Sequence, residues 1–435
     1  MPTPSLLIVP ARFKSGKLYS QIPTSGAGDF TVTRATTATR VNASGLIESV
    51  ASGIPRLDYF SSDGTVGCPA LLVEPSAQNL VFHSSDWTSN WSAGNASGTT
   101  VVTNSAISLA PDGTATANEI YPTSGNTNHV RTSNSTTAVT YVSGTVYTQS
   151  AFFKAGIGVG IQVQLNNPAA RFSQSGYANF DLINGLVSVV SGTTADTNRA
   201  ARIENYGNGW YRCSYSATCN SAGTAVGVIA NLIAASGDTR SPSFSGTVTD
   251  YLLGWGAQLE TGSVATSYIP TTTAAVTRNA DVVSVSGAVS GSIGQTEGTM
   301  YAEVDIKNLT NGTRIFAISD GTQANRIALL FNTTNRIRLL ATVTSATQAD
   351  INTATNQPAG IYKIAVAYAL NDYALYINGE QIGTDATALV PACSSVFLGT
   401  LETGSGLSSL NDRFLDGALY TTRLTNAKLA SLTSL

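Results

Sequence analysis

Apolar and polar residues alternate along most of this chain, in runs too short for anything but strands. Side chains two residues apart share one face of a strand. On that period VYTQSAFF, GIQVQL, YANFDL, LVSVV, RIENYG, WYRCSYSAT, AVGVIANLI and TDYLLGWGAQL each predict a strand between residues 146 and 259. A second series, MYAEVDI, RIFAIS, RIALLF, RIRLLATV, IYKIAVAY, YALYIN, QIG, SVFLG and FLDGALY, runs from residue 300 to residue 420. Gly, Asn, Ser and Asp clusters separate most of the runs, and a spacing near ten residues with turns between suggests a β-sandwich for each series. Asn184-Gly185 and Asn378-Gly379 predict hairpins, because both residue types tolerate the positive φ of a tight turn. Helical spacing occurs only at the end, where Thr425 can cap NAKLASL with Leu429 and Leu432 on one side.

The first eighty residues carry weaker strand signals, LLIVPARF, DFTVTRAT and ALLVEP, with Gly and Pro too frequent for a full sandwich. The expected fold is therefore all-β: an extended N-terminal arm over 1–80, a sandwich over 81–270, a nearly charge-free linker over 271–298, and a second sandwich over 299–435 ending in a short helix. VTRATTATRVN at 32–42 echoes AAVTRNADVVSV at 274–285, a match short enough to come from shared composition.

Charged residues make up 11% of the chain, against about 25% in typical soluble domains. The net charge of −3 lacks the basic excess of a nucleic-acid binder. The longest apolar stretch, 225–235, contains Asn231 and falls short of the roughly 20 residues that span a bilayer. Neither nucleic acid nor membrane insertion is expected, and no cleaved leader is read at the start. Cys68, Cys213, Cys219 and Cys393 are scattered, which predicts free, buried thiols rather than a disulfide framework.

Taken together, RATTATRVNASGLIESVASGIPRLDY, CPALLVEPSAQNLV and GWGAQLETGSVATSYIPTTTAAVTRNAD resemble a recurrent arrangement in bacteriophage tail and head appendage proteins. NGWYRCSYSAT and GWGAQLE resemble the late strands of a jelly-roll carbohydrate-binding module. GIYKIAVAYALNDYALYINGEQIGTD with LTNAKLASLTS resembles a concanavalin A-like or laminin-G-like lectin domain. The resemblance implies a non-enzymatic virion protein, a fibre or spike component assembled in the host bacterial cytoplasm. Its arm would dock to other virion proteins, its β-domains would meet host surface glycans, and it would be a homotrimer. A capsid-decoration or tail-scaffold protein without ligand, and a polysaccharide depolymerase, are the alternatives.

Candidate chemistry is sparse. Glu303, Asp305 and Lys307 alternate on one strand and resemble the E-x-D-x-E motif of β-glucanases. Lys307 stands where the second glutamate would be, which removes the acid/base carboxyl group a retaining glycosidase needs. His83 and His129 sit in no metal or triad motif. Trp87 and Trp91 in DWTSNW could form an aromatic platform for a pyranose or anchor the arm, and Tyr121, Tyr368 and Tyr373 are further ligand candidates. Trp210 and Trp255, inside apolar strands, are expected in the core. A structural calcium could be held by loop oxygens of Asp320, Asp412 and Asp416. No other cofactor is expected.

Overall fold

In strand Glu297–Ile306, Met300, Ala302, Val304 and Ile306 are fully buried on one side, while Glu303 and Asp305 alternate with them on the other. The same period in Arg326–Phe331 and Ile337–Val343 buries Ile327, Leu329, Phe331, Ile337 and Leu339 from the facing sheet. The computed structural model describes residues 2–14, 16–93, 98–134, 138–165, 171–172, 176–192, 197–247, 249–307, 312–332, 334–406 and 409–435. Among them the chain forms two antiparallel β-sandwiches and one α-helix, Asn426–Thr433. No helix of the described residues is long and apolar enough to cross a membrane.

The C-terminal sandwich has an eight-stranded sheet in the order Glu380–Asp385, Asp372–Ile377, Gly360–Ala369, Glu297–Ile306, Asp412–Tyr420, Val66–Val73, Leu57–Phe60, with Leu6–Ile8 also paired to Asp412–Tyr420. Its nine-stranded partner begins Phe13–Lys14, Lys17–Leu18, Phe30–Thr33, Val282–Ser286, Ser395–Leu398 and continues through Arg314–Ser319 to Ala346–Asn352. Residues 1–80 are thus not an extended arm. Leu6, Ile8, Leu18, Phe30, Val32, Leu57, Leu71 and Val73 are at most 4% exposed in the core of this sandwich. Burying a side chain of this size stabilises by about 1.5–3 kcal/mol, a gain that an extended segment would forgo. The 271–298 stretch is also built in: Val276–Arg278 pairs with Ala77–Asn79, and Val282–Ser286 lies between Phe30–Thr33 and Ser395–Leu398.

The jelly roll between these two halves packs a seven-stranded sheet, centred on Gly125–Ser133, Ile229–Ile233, Gly160–Gln164 and Tyr177–Asp181, against a six-stranded one. The six-stranded order is Thr99–Val102, Asn118–Pro122, Tyr251–Thr261, Val146–Ile157, Trp210–Thr218, Ala200–Asn205. The Asn378-Gly379 turn has positive φ at both residues, 50° and 87°, as expected. At Asn184-Gly185 only Gly185 is in that region, because Asp181 caps Ile183 and Asn184 N–H and organises a longer turn. The helix is capped by Thr425 and lays Leu429 against Tyr301, Tyr376 and Tyr420 on the outer face of the eight-stranded sheet. Cys213, Cys219 and Cys393 are free and buried, whereas Cys68 is exposed.

Candidate functional site

Most of the side chains singled out as ligand candidates are structural. Trp87 is fully buried and Trp91 is 6% exposed; their rings stack at 4.6 Å, and their indole N–H groups donate to the Ser84 and His83 carbonyls. They anchor the start of the jelly roll and offer no free face. Tyr368 and Tyr373 are buried in the C-terminal core, donating to the Gly294 and Leu389 carbonyls. Only Tyr121 is half-exposed, tilted against Tyr251 with its hydroxyl on Glu119 Oε2 at 2.6 Å. That carboxylate pushes the Tyr121 hydroxyl up to about 12. Trp210 and Trp255 are 2% exposed and in the core, as expected.

The three aspartates do not converge. Asp320 caps an exposed turn through Thr322 and Asn325, which hold its carboxyl below the usual range against partial burial. Asp412 is buried where its strand begins, and Asp416 faces outward from the same strand. Among the described residues no group of three or more His, Cys, Asp or Glu is placed to hold a metal ion.

Glu303, Asp305 and Lys307 share a face, and each is engaged by protein. Tyr301 hydroxyl donates to Glu303, Arg413 pairs with Asp305, and Lys307 meets Glu204 of the jelly roll at 2.9 Å while sitting 3.8 Å over the Phe60 ring. Phe60 in turn packs on Tyr206 at 4.8 Å. This row joins the two sandwiches, and the lysine is part of the seam. A cleft of about 80 Å³ beside it is lined by Phe60, Tyr206, Glu204 and Arg413. Pockets that hold small-molecule ligands are several times larger, about 300–1,000 Å³.

The conspicuous sequence motifs meet in a second knot at the junction. Arg34 donates to Asp281 Oδ1 at 2.7 Å, Arg56 bridges Glu74 (2.6 Å) and Asp281, and Arg278 stands 3.3 Å from Glu74. Ser267 N–H and hydroxyl both bind Glu74, and Thr266 binds Glu260. Burial raises the Glu74 carboxyl, but Arg278 and Arg56 outweigh it and hold it near about 2. Glu260 is raised by burial, which outweighs the hydrogen bonds from Gln258 and Thr266 and the charge of Arg212. The charged side chains of the knot, Arg34, Arg56, Glu74, Glu260, Arg278 and Asp281, are all buried, so they hold the fold together.

An accessible groove lies on the C-terminal sandwich, in the segment expected to be an arm. After Phe13–Lys14 and Lys17–Leu18 form a short hairpin, the chain turns through Pro23 and returns as Phe30–Thr33, enclosing a cavity of about 500 Å³. Exposed Arg12, half-buried Tyr19 and Gln21, and Asp29 line it. Asp29 Oδ1 accepts from Ser20 N–H at 3.0 Å, which fixes its carboxylate at the wall. Arg12, Tyr19 and Gln21 side chains have no hydrogen-bond partner among the described residues. Past Gly26 and Asp29 the groove continues into a further 250 Å³ lined by Lys17, Thr31, Ser284 and Ser286. A ring, an amide, a guanidinium and a carboxylate around such a space can stack on an apolar ring face and meet hydroxyls from its rim. Sequence reasoning missed these residues because the segment was assigned to an arm; the Ser-Gly dipeptide between FK and KL in the sequence was the available signal.

Comparison with known proteins bears on the same sandwich. Residues 277–431 match the Laminin_G_3 family, described as the Concanavalin A-like lectin/glucanases superfamily. No curated protein matches the chain. Among solved structures it is similar to the CBM40 of the Ruminococcus gnavus IT-sialidase, at 18% identity over 34% of this chain and 88% of that one, with a TM-score of 0.30. Domain 4 of AbnA, a GH43 extracellular arabinanase from Geobacillus stearothermophilus, in complex with arabinotriose, gives 16% identity, 39% and 82% coverage, and 0.31. Trypanosoma rangeli sialidase gives 12% identity over 73% of this chain and 60% of that chain, at 0.29. Scores of this size carry no argument.

Proposed function

We propose that this chain is a non-enzymatic, glycan-binding attachment protein, a bacteriophage virion appendage of the fibre or spike type. The observation that carries the reading is the open groove on the lectin-type sandwich, where exposed Arg12 and half-buried Tyr19 and Gln21 line the wall and their side chains have no hydrogen-bond partner among the described residues. A saccharide would stack on Tyr19 and exchange hydroxyl hydrogen bonds with Gln21, Asp29 and Arg12. Individual contacts of this kind are weak, and several copies on one particle would sum them by avidity. Docking to the particle then falls to a folded surface, since the N-terminal strands are held in the sandwich core.

A depolymerase is the second reading, favoured by one observation: Glu303 lies directly opposite Asp416 across paired strands. The protein partners on Glu303, Asp305 and Lys307 support the non-enzymatic reading instead. A glycan array and a host-cell retention assay test the proposal together. Tyr19→Ala and Arg12→Ala are each expected to weaken retention about tenfold, equivalent to roughly 1.4 kcal/mol. No retention by any host-derived polysaccharide, or retention indifferent to both substitutions, would count against the groove. Release of reducing sugar from host capsule would favour the depolymerase.

A further inference from the structure

We propose that the outer face of the seven-stranded jelly-roll sheet is a second saccharide site, closed in this structure by the 236–241 segment lying across it as a strap. In strand Gly160–Gln164, Ile161 and Val163 enter the core, so Gln162 and Gln164 point the other way. Register sets Asn231 and Asn179 on either side of Gln162, giving a row of three amides across adjacent strands. All four amide side chains are at most 1% exposed. Ile229 and Ile233 are buried on this face either side of Asn231, but the row between them carries donors and acceptors that an apolar cover would leave unpaired.

The strap answers most of them. Gln162 Nε2 donates to the Thr239 carbonyl at 3.0 Å and its Oε1 accepts from Ser241 N–H at 2.8 Å. Gln164 donates to Ser241 Oγ at 2.9 Å, and Asn179 donates to the Ser236 and Asp238 carbonyls at 3.1 and 2.7 Å. Asn231 is left out: both its Oδ1 and Nδ2 are buried without a partner among the described residues. An unpaired buried polar group is unfavourable and rare in a finished core. Here it marks a hydrogen-bonding place that the strap does not fill.

The strap is built to leave. Between Ser236 and Ser241 it has no large apolar side chain, a Cβ at Gly237 would meet nothing within 4 Å, and Thr239 is exposed. It is held to the sheet by carbonyl, N–H and hydroxyl groups, which saccharide hydroxyls can replace because each is both donor and acceptor. The ligand class is a neutral saccharide. The charged strap residues, Asp238 and Arg240, would move away with it, and Asp181, further along the same face, commits its carboxylate to the 182–185 turn. Tyr177, two residues before Asn179 on the same strand and so on the same face, supplies an aromatic ring at the end of the row.

This site is separate from the groove at Tyr19, and it borrows from the function proposed above only the choice of probe. The test therefore uses the full chain carrying Tyr19→Ala, which silences the groove. Calorimetric titration with glucose, galactose, rhamnose, N-acetylglucosamine and their short neutral oligomers would compare this chain with one in which Ser236–Arg240 is replaced by Gly-Gly. The shortened strap is expected to bind at least one probe about tenfold more tightly, and Asn231→Leu in that background to abolish the gain. A folded short-strap chain that binds none of them, or whose binding ignores Asn231→Leu, overturns the proposal. Should the shortened chain not fold, hydrogen exchange on the full-length strap decides. Saturating probe should accelerate exchange at Ser241 N–H, and an unchanged rate overturns the proposal.

Discussion

A buried and a half-buried carboxylate, Asp281 and Asp416, show how differently one residue type behaves in this chain. Asp281 accepts from Arg34 and Arg56 and binds the Glu74 N–H, so removing its charge leaves buried guanidinium groups uncompensated. Breaking such a pair costs about 3–5 kcal/mol, and Asp281→Asn is expected to lower stability by that amount in urea unfolding. Asp416 is the opposite case. Burial pushes its carboxyl up to about 6, and Glu303 adds to the rise against the Gly417 N–H and Lys363. The folded chain holds this proton more tightly than the unfolded chain, whose aspartates titrate near ~3.9. Its contribution to stability therefore falls as pH rises from about 4 to 6, and the full penalty persists above that range. Asp416→Asn removes the penalty, so the variant should be more stable than its parent at pH 8, by on the order of 1–2 kcal/mol, with the two converging below about pH 4. Thermal unfolding across that range reads the difference, and parallel curves would show that Asp416 holds no such proton.

Among the elements, those with strong alternation were legible: the strands of both sandwiches, the Asn378-Gly379 hairpin and the capped terminal helix all stand where their patterns put them. What alternation does not encode is which strand pairs with which. Leu6–Ile8, Phe30–Thr33 and Val66–Val73 looked too weak for a sandwich because they complete one begun hundreds of residues away. The same blindness hid the groove, and in the I-Q-V-Q of Gly160–Gln164 alternation predicts a strand without saying what covers its polar face. The echo between 32–42 and 274–285 also acquires a meaning: Phe30–Thr33 pairs with Val282–Ser286, and Arg34 and Arg278 enter one ionic knot. Deleting residues 2–33 removes strands from both sheets of the C-terminal sandwich. The shortened chain should lose the near-ultraviolet circular dichroism of packed aromatics such as Phe316 and Phe414, which lie 5.9 Å apart in that core. Retention of the full signal would show the N-terminal strands to be dispensable.

At the scale of the whole molecule, the sandwiches are fastened twice, through the Arg–Glu–Asp knot and through Lys307, Glu204 and Phe60. The groove and the amide face are therefore carried on one joined body. The low charge of the chain leaves surfaces that can pack against copies of themselves without desolvating ions. We propose a homotrimer, as the resemblance to appendage proteins implies, and sedimentation at micromolar concentration should then return three times the chain mass. A monomer there would rule out self-sufficient trimerisation. The pairing of Ser5 with Leu419, 414 residues apart, bears on how the molecule comes into being. On the ribosome, at about 5–20 residues per second, the first strands emerge long before their partners are translated. The jelly roll can close while they wait, and the lectin-type sandwich forms last, only once the final strand has left the exit tunnel. Any factor that shields nascent apolar segments would act on this interval, and its loss should trap the chain with one sandwich finished and the other open.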